Sequence, residues 1–191
     1  MEEKNEHEQV IYNKNVIDFV TVAVECCAFL ENEAMTTREG WIDRMLKLLP
    51  LLYVKATLLP DTFAIDDDPP ATFVREEDYT RVANRIAAIM GEDDIYLDVF
   101  VDDMKYSDTP VSALVSENIA DIYQDVRNFV SIYQFALSDQ MQDALHVCKE
   151  NFLLFWGQKL VNVLRPLHAL KSSAQESDNE ADDLNMEDLW D

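Results

Sequence analysis

Glycine is nearly absent from this chain of 191 residues, which contains only three. Phosphate-binding loops, hairpin turns and bulges depend on glycine, so its scarcity argues against nucleotide-binding and sheet-rich folds. The three glycines, at positions 40, 91 and 157, are too far apart for a dinucleotide or phosphate-loop motif. We therefore expect an all-α protein that holds no cofactor.

Basic residues are also scarce, because 15 lysines and arginines face 38 aspartates and glutamates, for a formal net charge of -23. A surface of this charge repels the phosphates of nucleic acids and of anionic lipids. The longest stretch without a charged residue covers residues 128–138, too short to span a bilayer. We expect neither a nucleic acid nor a membrane as a direct partner.

The three cysteines lack the spacing of a disulfide framework or of a zinc or redox pair, since Cys26 and Cys27 are adjacent. We interpret all three as small buried apolar residues of a protein in a reducing compartment. The acidic start of the chain also lacks the basic and apolar parts of a secretory signal. The expected location is the cytoplasm.

Charge divides the chain into three parts. Residues 1–12 form an acidic N-terminal extension, and residues 13–171 hold the apolar periodicity of one helical domain. Residues 172–191 carry eight acids with no lysine or arginine. We interpret that last segment as a disordered acidic tail.

Apolar residues recur at intervals of three and four along five segments, which is the period of amphipathic helices. The five stripes start at Val16, Trp41, Tyr79, Leu114 and Met141. The second helix opens with a capping box at Thr36–Glu39, and the third ends at Gly91. Such helices bury their stripes only by packing on one another, which predicts a single-domain helical bundle of about five main helices.

Two prolines and two longer segments depart from this pattern. Pro50 is predicted to kink the second helix without ending it, and Pro166 to bend or end the fifth. Residues 57–72 contain three prolines and three consecutive aspartates, which predicts a long loop. Residues 95–101 fit a helical turn or a short strand, and we interpret them as helical because no partner strand is evident.

Metal binding is one alternative function for so acidic a chain. Helical di-iron bundles need two Glu-x-x-His pairs, and this sequence has one comparable pair, Asp143 and His146. The acids of residues 92–103 would hold magnesium only if they converged, and a solvated acidic face is the commoner outcome. Asp143 and His146 are the metal candidates, and whether a metal is bound stays open.

A candidate pocket is predicted between the fourth and fifth helices. Asp121 and Asp125 are four residues apart, so they share one helix face and repel each other unless a cation or a hydrogen-bond donor lies between them. Three basic side chains of the fifth helix are candidates for that role: Lys159, Arg165 and His168.

Two aromatic residues, Tyr123 and Trp156, are expected to line the same pocket. Gly157 costs helix stability, which a close crossing of the two helices would explain. The set forms either an ion-paired clamp between helices or a shallow pocket for a small polar ligand.

Several of these residues also carry a resemblance to a known family. The matching positions are Tyr106–Pro110, Ile119–Asp125, Phe155–Gly157, Arg165 and His168. Over residues 15–170 the chain resembles an uncharacterised all-helical bacterial family, a domain of unknown function known from Bacteroides-type bacteria. Gln158 and Lys159 stand where that family's pattern suggests a histidine. The resemblance implies a helical fold and no activity.

Because the sequence lacks a catalytic constellation, we expect a non-catalytic protein-binding domain, monomeric or weakly dimeric. Its acidic surface favours a basic protein as the partner. The alternative is a small-ligand-binding or metal-binding protein, or an enzyme, that uses the carboxylate pocket. The residues of that pocket are Asp121, Tyr123, Asp125, Trp156, Arg165 and His168.

Overall fold

The computed structural model of the protein describes residues 10–34, 36–98 and 111–187, with side chains described up to residue 174. Its helices are α1 (Lys14–Glu31), α2 (Arg38–Thr57), α3 (Glu76–Met90), α4 (Val115–Gln134), α5 (Met141–Asn151) and α6 (Gly157–Glu187). A π-helical turn, Phe152–Trp156, joins α5 to α6 in one continuous run. The predicted all-α single domain is confirmed.

Helix α4 lies at the centre of the bundle and contacts α1, α3, α5 and α6. The apolar stripe predicted for the fifth helix is buried along its whole length, across α5, the π turn and α6. Its members are Met141, Leu145, Cys148, Phe152, Trp156, Leu160, Val163 and Leu167. Each large apolar side chain so buried contributes about 1.5–3 kcal/mol relative to exposure, so packing on α4 holds the bundle together.

The helix ends follow local chemistry, with one adjustment to the sequence predictions. The side chain of Thr37, one residue after the predicted cap, accepts the Gly40 N–H at 3.1 Å and starts α2. Pro50 lies inside α2, which continues to Thr57 as predicted. Gly91 ends α3 with a φ of 61°, a conformation that glycine adopts without strain.

A two-stranded antiparallel sheet corrects the helical interpretation of residues 95–98. Strand β1 (Ile95–Asp98) pairs with β2 (Val111–Leu114), with Ile95 opposite Leu114. The prediction was wrong because the partner strand is four residues long and directly precedes the stripe of α4, so it gives no separate signal. Residues 99–110, including the motif Tyr106–Pro110 and the end of the 95–101 stretch, lie outside the described residues.

The C-terminal helix is longer than the sequence suggests. Pro166 lies inside α6, whose backbone is helical to Glu187, so the alternative that this proline ends the helix is wrong. The disorder predicted for residues 172–191 concerns the same segment and stays a prediction. The predicted N-terminal extension falls mostly outside the described residues. None of the described helices combines the length and the apolar content needed to cross a membrane.

The three cysteines are free and buried, as expected. Burial raises the pKa of the Cys26 thiol to about 12, and burial likewise raises the pKa values of Cys27 and Cys148. Thiols held protonated in this way are unreactive, so these cysteines act as apolar core residues.

Candidate functional site

The carboxylate of Asp121 is fully engaged by neighbouring helices. Tyr79 of α3 donates its hydroxyl to Oδ1 at 3.0 Å, and Lys159 of α6 donates to Oδ2 at 2.5 Å. The same ammonium group reaches Asn118 Oδ1 at 3.3 Å and lies 4.6 Å from the centre of the Phe155 ring. Of the three basic candidates, Lys159 is therefore the one that pairs with Asp121.

We call Tyr79, Asn118, Asp121 and Lys159 the Asp121 cluster. The side chains of Lys159 and Asp121 are only 26% and 22% exposed, so their attraction is weakly screened by water. Burial and the hydrogen bond to Asp121 raise the pKa of Tyr79, which keeps the phenol protonated as a donor. The cluster is a polar clamp joining α3, α4 and α6.

Asp125, one turn further along α4, has a different environment. Its Oδ1 accepts one hydrogen bond, from the Asn151 amide at 2.6 Å. No lysine, arginine or histidine nitrogen of the described residues lies within 4.0 Å of this carboxylate. Burial raises the pKa of Asp125, and the nearby charge of Asp121 raises it further, while the Asn151 amide opposes the shift.

A cavity of about 220 Å³ opens beside Asp125, between α4, α5 and the loop that precedes α3. Polar groups reach it from the amides of Gln124, Asn128 and Asn151. The rest of its wall is mostly apolar, from Pro69, Pro70, Phe129, Ile132, Ala144 and Val147. Only the Asp125 half of the predicted carboxylate pair therefore borders this cavity.

Tyr123 and Trp156 form their hydrogen bonds with other residues than the two aspartates, and neither lines the cavity beside Asp125. Tyr123 donates to Glu31 of α1 at 2.9 Å, because two positions along a helix turn a side chain by about 200°. Trp156 is wholly buried, and its indole N–H donates to the Cys148 carbonyl at 3.3 Å. The expectation that these aromatics line the aspartate pocket is wrong.

Arg165 and His168 lie on the exposed side of α6. Their side chains form no hydrogen bond or ion pair within the described part of the chain. Lys159 faces α4 and pairs with Asp121. Arg165 and His168, further along α6, are thus separated from Asp121 and Asp125.

Gly157 is required by the π turn and not by a crossing of two helices. Its N–H bonds to the Phe152 carbonyl, five residues back, as in a π helix. A Cβ at position 157 would lie 2.4 Å from that carbonyl oxygen and 2.9 Å from the Phe152 ring. The explanation by a close helix crossing is corrected accordingly.

The metal candidates Asp143 and His146 serve separate contacts. Asp143 is buried and accepts the Ile65 N–H at 2.6 Å, while His146 lies 3.5 Å from the Glu150 carboxylate. Among the described residues, no three His, Cys, Asp or Glu side chains converge in a way that suits a metal ion.

Sequence reasoning missed the amides and one acid that organise this region. Asn118, Asn128 and Asn151 carry no charge and no fixed spacing, so nothing in the sequence distinguishes them. Asp94, assigned to a solvated acidic face, is buried and accepts both the N–H and the hydroxyl of Ser116, at 2.8 and 2.6 Å. A carboxylate at the start of α4 stabilises it by bonding an otherwise unpaired N–H.

The fold defines the class of protein, a single-domain helical bundle in which the Asp121 cluster joins α3, α4 and α6. A family model described as a domain of unknown function, DUF5063, matches residues 10–173, and the chain belongs to that family. The crystal structure of protein BF1032 from Bacteroides fragilis, a Northeast Structural Genomics Consortium target, is similar, with 45% sequence identity and a TM-score of 0.75. That match covers 85% of this chain and 96% of the other. A comparison with curated proteins gives no match. The resemblance seen in the sequence is confirmed.

Proposed function

We propose that this chain is a non-catalytic cytoplasmic domain, monomeric or weakly dimeric, that binds a basic partner protein. The observation that carries the proposal is the loop between α2 and α3, residues 58–75. Side chains of the helical bundle fix its backbone by hydrogen bonds, and the loop exposes apolar side chains next to three aspartates. We call residues 61–68 of this loop the acidic loop.

The loop backbone is fixed by hydrogen bonds to side chains of the bundle. Asn128 accepts the N–H groups of Phe73 and Val74, at 2.7 and 2.9 Å. Three further residues hold it nearer its middle and start: Gln140 accepts from Ala71, Asp143 accepts from Ile65, and Lys149 donates to Leu59. A loop ordered in advance loses less conformational entropy when a partner binds.

The acidic loop exposes two large apolar side chains. Phe63 is 68% and Ile65 is 52% exposed, although their backbones are anchored by Gln142 and Asp143. Burying such a side chain against a partner yields about 1.5–3 kcal/mol. Rigid, exposed anchors of this kind are typical of binding hot spots.

The charge next to these anchors supports a basic partner. Asp66, Asp67 and Asp68 are exposed, and no described lysine or arginine pairs with them. Ten of the described lysines and arginines each lie within 4.0 Å of another carboxylate, so little positive charge is left to offset these aspartates. The complementary surface is an apolar pocket with lysines or arginines at its rim.

The test is affinity capture of partners by the tagged full chain from its own cells, quantified by mass spectrometry. The double variant Phe63→Ser/Ile65→Ser is expected to lose a specific partner that the parent chain retains. The matched control is Leu154→Ser, which removes an 83% exposed apolar side chain from the π turn. The control should capture the partner as the parent chain does.

A charge variant, Asp66→Asn/Asp67→Asn/Asp68→Asn, tests the electrostatic part. It should weaken capture at low salt and lose its difference from the parent at high salt, because exposed charges are screened. Capture that is equal in the parent and in both loop variants would refute the proposal, as would the lack of any specific partner.

A further inference from the structure

The cavity beside Asp125 is a second feature with the properties of a binding site, distinct from the exposed side chains of the acidic loop. We propose that it binds a primary ammonium group carried on a short aliphatic chain. The proposal rests on the juxtaposition of two features: a carboxylate that has no cation partner among the described residues, and a small cavity that combines apolar walls with amide side chains.

Among the described residues, the carboxylate of Asp125 has no cation partner. Oδ1 of Asp125 accepts the Asn151 amide, while Oδ2 has no hydrogen bond within the described part of the structure. Asp125 is partly buried, so water screens its charge less than at the surface, and a cation entering the cavity would meet a stronger attraction there. Burial raises the pKa of this group, in agreement with the lack of a nearby cation.

The geometry favours an ammonium over other cations. A guanidinium binds best as a planar fork across both oxygens of a carboxylate, and the Asn151 amide, already bonded to Oδ1, competes with that approach. A calcium ion needs six or more oxygen ligands, and no metal-binding group of acids is present among the described residues. An ammonium has three donors, and the side chains of Asp125, Gln124 and Asn151, which border the cavity, carry oxygen atoms that can accept them.

The walls specify what the ammonium is attached to. Phe129, Ile132 and Val147 present apolar surface suited to methylene groups. The volume of about 220 Å³ is below the usual lower end, roughly 300 Å³, of pockets for larger organic ligands. A chain of a few carbons is therefore the expected attachment.

Two molecules carry this chemistry, a free alkylamine and the lysine side chain of a partner protein. Residues 69–72 of the loop form one wall of the cavity, which places it next to the surface proposed for partner binding. The binding chemistry is the same in both cases, and the source is decided by experiment.

The first experiment titrates the full chain with n-butylammonium at about 0.15 M salt, where long-range attraction to the acidic surface is screened. Nuclear magnetic resonance should show saturable shifts at the side-chain amides of Asn151 and Gln124. The uncharged analogue 1-butanol should give no comparable shifts. Asp125→Asn, which keeps the shape of the side chain, should weaken binding by at least about tenfold.

Two further variants control for charge and for folding. Asp139→Asn removes one exposed acid outside the cavity and should leave the affinity unchanged. Val147→Phe fills the cavity without altering Asp125 and should also abolish binding. Shifts that do not saturate, or an affinity equal in the parent chain, Asp125→Asn and Val147→Phe, would overturn the proposal.

The second experiment identifies the source of the ammonium group. If a lysine side chain is the ligand, Asp125→Asn should lose the partner captured by the parent chain, and n-butylammonium should compete with that partner. If a free amine is the ligand, Asp125→Asn should retain the partner while it loses n-butylammonium. Failure of the partner-binding proposal leaves the titration with n-butylammonium unaffected, so the two failures are distinguishable.

Discussion

Asp121 and Asp125 are the same residue type, one turn apart on the same face of α4, yet they have opposite environments. Asp121 accepts from Tyr79 and Lys159 and ties three helices together. Within the described residues, Asp125 accepts a hydrogen bond only from Asn151 and has no cation partner. Position on a helix therefore decides which neighbours a carboxylate meets, and those neighbours decide whether it stabilises the fold or remains available to a ligand.

The largest effect on stability is expected when the Asp121 cluster loses its carboxylate. Asp121→Asn leaves the ammonium of Lys159 partly buried without its carboxylate, so the free energy of unfolding should fall by about 3 kcal/mol. Urea unfolding followed by circular dichroism measures this change. The double variant Asp121→Asn/Lys159→Met should recover part of the loss, because no unpaired charge remains.

The π turn separates the partners of the two aspartates, and a substitution at Gly157 tests its role. Asn151, the partner of Asp125, precedes the turn, and Lys159, the partner of Asp121, follows it. Gly157→Ala puts a Cβ against the Phe152 carbonyl and should cost about 2 kcal/mol. In an ordinary helix interior the same change stabilises by about 1 kcal/mol, so the sign of the effect reports the π turn.

The control for this prediction is Gln158→Ala, an exposed position one residue later. It should change the free energy of unfolding by less than about 0.5 kcal/mol. If Gly157→Ala were as stable as the parent chain, the requirement for glycine in the π turn would be refuted.

The sequence predicts the helices well because burial repeats with the helical period. Each of the eight stripe residues of the fifth helix is buried, although the π turn interrupts the regular hydrogen bonding. The hairpin escapes prediction because a four-residue strand pairs across residues 99–110, which no local pattern indicates.

The site is predicted only in part. The repulsion between Asp121 and Asp125 indicates that partners are needed, and Lys159 is one of the three candidates that the sequence offers. The roles of Asn151 and of Asn128 depend on contacts between elements far apart in sequence, and neither spacing nor charge reveals them.

A smaller effect is expected at Asp125. Its raised pKa means that the folded chain holds this proton more tightly than the unfolded chain, so ionisation destabilises the fold. The stability contributed by the protonated form is therefore lost as the pH rises through the folded-state pKa. Asp125→Asn cannot ionise and so avoids this loss of stability. The variant should be at least as stable as the parent chain at pH 7.

Urea unfolding of both chains at several pH values checks this prediction. The advantage of Asp125→Asn should shrink as the pH is lowered toward the ordinary carboxyl pKa, about 4, where the parent carboxyl is protonated as well. A variant clearly less stable than the parent at pH 7 would show that the carboxylate is a structural element like Asp121.

The smallest effects belong to the two basic residues that the structure separates from the site. Arg165→Ala and His168→Ala remove exposed side chains without hydrogen bonds or ion pairs in the described part of the chain. Each should change the free energy of unfolding by less than about 0.5 kcal/mol, measured by the same urea method. Either variant should also bind n-butylammonium with the affinity of the parent chain.

The division of roles along α4 is tested most directly by one paired measurement. The free energy of unfolding is determined for the parent chain, Asp121→Asn and Asp125→Asn, each with and without n-butylammonium. We predict that Asp121→Asn lowers stability but keeps the stabilisation by the amine, whereas Asp125→Asn keeps its stability and loses that stabilisation. Equal behaviour of the two variants would contradict the account.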